Sequence, residues 1–532
     1  MATETVVPVQ EQTASGLRTA LQKCFSFPVL LGALLVGFNA VIMIPTFRLE
    51  PDTWWHTKLG QQILATGHWL HADIYSFTAY GNNPLAFEWL GEVVIALAHE
   101  FAGVRGLHIL LFGLTSTIVV LAYTYASVRS RNSKAAFVAT VAILPLAAIC
   151  FTLRPQLLGY VFLLITLISL ERYRQGLQKS LWFLPVLFLI WVNTHGSFIL
   201  GYCVLGLYWL CGLKEFKLGG ITMEAWRPSQ RIHMELVCLL GCLTLPLTPF
   251  GGQAAIFPIE KALFFPAQAA HIQEWLPLNF SQWEPKMMLL LILVFLIAQV
   301  SIRQSYNAGE LFLIFFTAYM TCVHTRFIIV FALVFAPVAA TLLSRWVPPF
   351  EPAKDKPLIN AVLIVAAGLA IIHAVPSEKK LDKQVANEFP AAAVQYLRQH
   401  SVPGPMFNYY GFGGYLLWAM GPEHKVFIDG RGDFYEQAGV FSDYIDVQDI
   451  KPDAFAILQT YRINSCIVQR DSPLATLLRA SGKWNEIYKD PLSSIFVRDR
   501  LIPSGATLDV SQIQGESHEN ASGKLPERTD GN

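Results

Sequence analysis

Between residues 27 and 374 the chain passes through one apolar segment after another, most near the roughly 20 residues an α-helix needs to cross a bilayer. Such a chain is constrained to a bundle of membrane helices, because backbone polar groups in lipid must be satisfied within each segment. Of its 532 residues, 53% are hydrophobic and 14% charged, against about 25% charged in an ordinary soluble domain. A formal net charge of +1 supplies no field that would gather nucleic acid. The first segment, about 27–47, follows a polar stretch with Arg18 and Lys23 and is followed by no small-residue cleavage site. It reads as a retained signal anchor, with 1–26 as a cytoplasmic tail.

Further apolar segments fall near 86–103, 107–127, 136–150, 155–171, 181–193, 197–213, 235–248, 286–302, 310–323, 326–343 and 358–374. The stretch 253–266, interrupted by Pro258, Glu260, Lys261 and Pro266, reads as interfacial or re-entrant. Basic residues gather at Arg129–Lys134, Arg172–Lys179, Lys214–Arg231, Arg303 and Arg345–Lys356. Counted outward from 107–127, all fall on one side, which is cytoplasmic by the positive-inside rule. On that count 86–103, with Glu88, Glu92, His99 and Glu100, is a partial or interfacial helix. The competing count makes it a span and needs another crossing, for instance 253–266. About 11 to 13 spans are expected, and either odd number puts the C-terminal part outside.

The predicted fold is therefore an all-α polytopic membrane domain, 27–375, with a first outer loop at 48–87 and a small α/β domain at 380–500 outside the membrane. In that domain FPAAAVQYLRQH and ATLLRASG read as helices, VFIDGRGDFY and NSCIVQR as strands, and WNEIYKD with SSIFVRD as a hairpin. The RGD string within FIDGRGDFY reads as a turn after a strand. Residues 503–532, rich in Ser, Gly, Glu and Asn, read as a disordered tail. None of the eight cysteines shows a CxxC spacing. Cys238 and Cys242 share a helix face but read as small apolar residues rather than metal ligands.

Single polar residues mark the loops opposite the basic ones. They are Asp52 and His56, then Arg154 in FTLRPQ and Asn193 and His195 in VNTHGS. Glu274 and Trp275 in IQEWLP follow, then His324 and Arg326 in VHTRF. One site at the outer face accounts for this one-sided set; capping or snorkelling at each helix end is the competing account. Asp52 is a candidate general base. It is also a candidate metal ligand with His56 one turn on, or the N-cap of a helix over 53–66 behind Pro51. Trp54, Trp55, Trp69 and Tyr75 read as interfacial belt residues. Arg154 and Arg326 are the best anion binders, since a guanidinium is planar and stays charged. His195 precedes Gly196, where backbone could approach a ligand, although a hydrogen-bonded core histidine is the competing use. No Walker loop, GxGxxG, HExxH or GxSxG motif is present, so ATP-driven transport and serine hydrolysis have no foothold.

An Asp at the end of the first span, a helix ending in ATGHW, an extended DIYSFTAYGNNPL and an aromatic EWL helix follow one another here. The pattern resembles the first outer loop of the GT-C superfamily of membrane glycosyltransferases, especially the bacterial aminoarabinose transferase and protein O-mannosyltransferase branch. The likeness covers about 27–130 well and the remaining spans by architecture. The whole chain also resembles a large group of bacterial membrane proteins, so no substrate is inherited. The resemblance implies a polyprenyl-phosphate-linked sugar as donor and a lipid, glycan or protein acceptor at the outer face of the inner membrane. It gives the catalytic role to Asp52. Thr53 stands where the family often has a second acidic residue, and Asn83 where a Lys often precedes the Pro. Donor-phosphate binding then falls to Arg154 and Arg326, with His56, Glu88, His195 and Glu274 as further substrate-binding candidates. A divalent metal is left open. The alternatives are a non-catalytic scaffold or transporter that retains such a fold, and hydrolysis of the same donor. Polar residues at span ends rather than mid-membrane argue against the transporter.

Overall fold

The computed structural model describes residues 22–46, 48–84, 87–253, 255–257, 260, 270–302 and 304–499. The expected tail over 503–532, most of 1–26, and most of 258–269 lie outside the described residues. Two compact units are present: Met1–Ala72 with Asn83–Gln384, and Asp73–Asn82 with Val385–Asn532. The expected first outer loop, 48–87, is thus divided, because its middle belongs to the C-terminal unit.

The first unit contains helices α1 (Phe27–Met43), α2 (Pro51–Thr66), α3 (Trp89–Ser130), α4 (Ser133–Ala148), α5 (Gln156–Arg174), α6 (Leu184–Val192), α7 (Phe198–Cys211), α8 (Pro228–Thr244), α9 (Trp283–Ser301), α10 (Ala308–Val323), α11 (Ile328–Leu343) and α12 (Pro357–Ala374). Among the described residues, five helices are long and apolar enough to cross a membrane: those in α3, α5, α9, α11 and α12. Four shorter apolar helices, α1, α4, α7 and α10, accompany them. The backbone of α3 leaves helical geometry at Ala102 and Gly103, separating the part that starts at Trp89 from the part that ends at Ser130.

The core of this unit is α11. Ile328, Ile329, Phe331, Ala332, Leu333 and Ala336 are all buried, and the helix packs on α3 and α4. By contrast α9 and α12 leave Leu290, Val294, Ile297, Leu358, Val362 and Ile372 bare. So much contiguous apolar surface is unfavourable in water and natural against lipid.

The unit is not wholly helical. Strand β1 (Phe216–Leu218) forms a hairpin with β2 (Ile221–Met223), and β3 (Tyr306–Asn307) pairs in parallel with β2. Beside it lies a partly buried ionic cluster: Arg129 donates to Glu310 at 2.9 Å, and Arg174 to Glu171 at 2.5 Å. This cluster sits at the end of α3, the end of α5 and the start of α10.

In the second unit a four-stranded sheet runs β4-β5-β7-β6. Here β4 (Met406–Asn408) is parallel to β5 (Ser465–Gln469), and β7 (Ser493–Arg498) is antiparallel to both β5 and β6 (Trp484–Lys489). Helices Ala391–Gln399 and Pro473–Ala480 match two expected segments. The expected strand at VFIDGRGDFY is not in the sheet. Instead the Asn408 side chain accepts from Phe427 N and donates to Ile428 O, both at 2.8 Å, standing in for a neighbouring strand.

Residues 73–82 dock on the same segment: Val426 N donates to Tyr75 O at 2.9 Å, and Phe77 N to Val426 O at 3.2 Å. Arg431 of the RGD string is buried, forked onto Asp429 at 2.8 and 2.6 Å and bonded to Asp73 at 2.8 Å. It therefore presents no recognition loop. Two expected belt residues are also interior, Trp54 at 0% exposure and Tyr75 at 2%. The partner of Tyr75, Val426, lies too far along the chain for local pattern to show.

Candidate active site

The site is assembled by the first turn of α2. Glu50 is the N-cap and Pro51 occupies the first turn, where its missing N–H costs nothing. Asp52 is thus inside the first turn rather than the cap. Thr53 Oγ1 accepts from Glu50 N at 3.2 Å and donates to Leu153 O at 2.9 Å. That second bond pins the segment before α5 against α2 and brings Arg154 to Asp52.

Two close helix approaches complete the frame. A Cβ on Gly60 would lie 2.1 Å from Glu92 O and 2.8 Å from Ala96 Cβ, so only glycine lets α2 press on α3 here. A Cβ on Gly91 would lie 2.6 Å from Pro155 Cβ and 3.0 Å from Thr194 O. The first approach sets His56, one turn before Gly60, against Glu88 and Glu92. The second draws the neighbours of Pro155 and Thr194, which are Arg154 and His195, to the start of α3. Asn193 reinforces it, accepting from Trp89 Nε1 at 2.8 Å and Leu90 N at 3.1 Å.

Two adjoining polar networks result. In the first, the Arg154 guanidinium donates to Glu50, lies 3.2 Å from Asp52 Oδ2, and bonds Glu274 at 2.9 Å. Asp52 Oδ1 also accepts from Trp55 Nε1 at 3.1 Å. Arg326 Nη1 is 3.6 Å from the other oxygen of Glu274, and its Cζ sits 4.3 Å over the Trp275 ring. The turn carrying Arg326 is tied to the turn carrying Glu274 by His324 Nδ1, 2.8 Å from Trp275 O, and by Thr325 N, which donates to Leu276 O at 3.0 Å.

In the second network His56 lies 3.7 Å from Glu88 and 3.5 Å from Glu92, and His195 lies 3.4 Å from Glu88. Burial, reinforced by Arg154 and His195, pushes the His56 imidazole well below its ordinary pKa, so it is neutral near pH 7. Burial also pushes the Glu50 carboxyl up, against the opposing pull of Arg154. For Arg154 burial acts downward, but Asp52, Glu274 and Glu50 outweigh it and hold the guanidinium above its usual value.

The seven residues expected to act in catalysis or substrate binding lie in these two networks: Asp52, Arg154, Glu274 and Arg326 in one, His56, Glu88 and His195 in the other. Four participants were not singled out: Glu50, Glu92, Gly60 and Gly91. Glu50 had a signal, since LEPD places two carboxylates in one helical turn. Among the described residues no group of three or more His, Cys, Asp or Glu is arranged to hold a metal ion. Glu50, Asp52 and Glu274 all face Arg154 instead. The two networks sit at the start of α3, the start of α5 and the end of α10, opposite the Arg129–Glu310 cluster.

Fold and site together define a multi-span membrane protein with an ionic site at one end of its helices. No protein-family model matches the chain, and no curated relative matches its sequence. In fold it is similar to an Archaeoglobus fulgidus oligosaccharyltransferase tethered with an acceptor peptide, with TM-score 0.47 and 11% identity, over 82% of this chain and 68% of that one. It is similar to ArnT from Cupriavidus metallidurans bound to undecaprenyl phosphate, with TM-score 0.47 and 13% identity, over 91% and 98%. The A. fulgidus oligosaccharyltransferase AglB, in complex with an inhibitory peptide and a dolichol-phosphate, gives TM-score 0.44 and 11% identity over 89% and 74%. These are loose likenesses of architecture, and the functional reading below stands on the site's own geometry.

Proposed function

We propose that the chain is a membrane glycosyltransferase that moves a sugar from a polyprenyl-phosphate donor to an acceptor at the outer face of the membrane. One observation carries the reading: a carboxylate in the first helical turn after a membrane segment, Asp52, lies 3.2 Å from Arg154, which shares Glu274 with a second arginine, Arg326. A guanidinium pair bridged by one carboxylate is a site already shaped for a phosphate, whose oxygens take the same forked geometry. The donor phosphate would displace Glu274 and lie between the arginines, its tail against the apolar helices.

Asp52 would then take the proton of the acceptor hydroxyl. The hydroxyl oxygen forms its bond to the anomeric carbon as the bond from that carbon to the phosphate oxygen breaks, and the electron pair leaves with the phosphate. Configuration inverts. Because the leaving phosphate is already charged and held by two arginines, no strong general acid is required. Neutral His56, with His195 and Glu88, would bind hydroxyls of the sugar or acceptor.

The test is Asp52→Asn in purified protein supplied with polyprenyl-phosphate sugar. Transfer should fall by about 10²–10⁴-fold, the usual contribution of a general base, while the variant keeps its melting temperature. Undiminished turnover would refute the assignment. A wild-type protein that binds the lipid but transfers nothing would point to a scaffold.

A further inference from the structure

Hard divalent cations are held by clustered carboxylate oxygens, and three carboxylates converge at this site. Glu50 and Asp52 come from the first turn of α2, and Glu274 from the turn Gln273–Trp275. The centre they share is filled. One terminal nitrogen of Arg154 faces both Glu50 and Asp52, the latter at 3.2 Å, while the other holds Glu274 at 2.9 Å. An entering metal would have to displace a guanidinium that three anions hold, and Arg326, 3.6 Å from Glu274, would repel it further. Arg154 cannot leave by giving up its charge, since a guanidinium remains protonated.

We propose that Arg154 is the resident cation of this site, occupying the place a divalent metal would need, so that Glu50, Asp52 and Glu274 are held in position without one. Around Arg154 the three carboxylates are not themselves arranged to hold a metal ion; removing the guanidinium should let them close round a divalent cation. The proposal does not depend on glycosyl transfer, because it is read by cation binding rather than turnover.

The experiment titrates Mn²⁺ into full-length protein in nanodiscs, as wild type, Asp52→Asn, Arg154→Ala, Arg154→Lys and Arg154→Ala/Asp52→Asn, following free Mn²⁺ by electron paramagnetic resonance and melting by tryptophan fluorescence. Arg154→Ala should bind Mn²⁺ at least tenfold more tightly than wild type and melt higher when it is added. Wild type and Arg154→Lys should show neither effect, and the added Asp52→Asn should abolish the binding. Saturable Mn²⁺ binding by wild type that is lost in Asp52→Asn would overturn the proposal. A folded Arg154→Ala that binds no Mn²⁺ would overturn it equally. If Arg154→Ala does not fold, the wild-type melt decides: no response to Mn²⁺ or to EDTA supports a resident arginine, and stabilisation by Mn²⁺ that EDTA reverses contradicts it.

Discussion

Gly60→Ala should damage this protein, although alanine is the better helix former. In an exposed helix interior the change would add about 0.5–1 kcal/mol. At Gly60 the new methyl would lie 2.1 Å from the carbonyl oxygen of Glu92 and 2.6 Å from its carbonyl carbon. An ordinary contact begins near 3.4 Å, so α2 and α3 must separate by about an ångström. The obstacle is helix backbone, which cannot rotate away as a side chain can. Overpacking of this kind costs about 1–3 kcal/mol, and the upper end applies here, for a net loss of about 2 kcal/mol after the propensity gain. His56, now 3.5 Å from Glu92, would be carried out of reach, so any activity should fall with stability. The control is Gly113→Ala in α3, where a Cβ meets nothing within 4 Å and stability should rise slightly. The assay is reversible unfolding in mixed micelles of the two variants and wild type. A Gly60→Ala protein as stable as wild type would refute the close-approach argument.

Two further outcomes follow from the charges. Because burial raises the Glu50 carboxyl, the folded protein holds that proton more tightly than the unfolded chain; its contribution is full below the unfolded carboxylate pKa and is lost as pH rises through the folded value. Wild-type melting temperature should therefore decline more steeply than that of Glu50→Gln as pH rises just above the unfolded carboxylate pKa of about 4.3, and parallel slopes there would show that Glu50 is not so perturbed. Arg431→Met would leave Asp73 and Asp429, both fully buried, without their counter-charge, at a cost of about 3–5 kcal/mol. Chemical unfolding and protease cleavage within 73–82 should both report it, and an unchanged cleavage pattern would mean that Arg431 does not hold that loop.

The polar members of the site were legible because charge is scarce in this chain. A lone Arg154, His195, Glu274 or Arg326 at the end of an apolar segment has few uses, and the basic loops told which ends share a side. Glu50 escaped because a carboxylate just outside a span looks like ordinary interface. Glu92 escaped because it was counted among the charges that made 86–103 unlike a span. Gly60 and Gly91 could not have been found, since a glycine needed for close approach looks the same in sequence as any other. The β1–β2–β3 sheet was invisible for a different reason: strands of two or three residues have no periodicity to detect. Tyr75 reads as a belt residue in sequence because its partner, Val426, lies far along the chain and only folding brings them together.

The central claim is that Asp52, Arg154 and Arg326 form one site for a phosphate-linked sugar. A density map of the protein in nanodiscs with a polyprenyl-phosphate sugar tests it most directly. The account predicts phosphate density between Arg154 and Arg326, Glu274 displaced, and the anomeric carbon facing Asp52. A headgroup resolved elsewhere, with Arg154 still bonded to Glu50, Asp52 and Glu274, would contradict it.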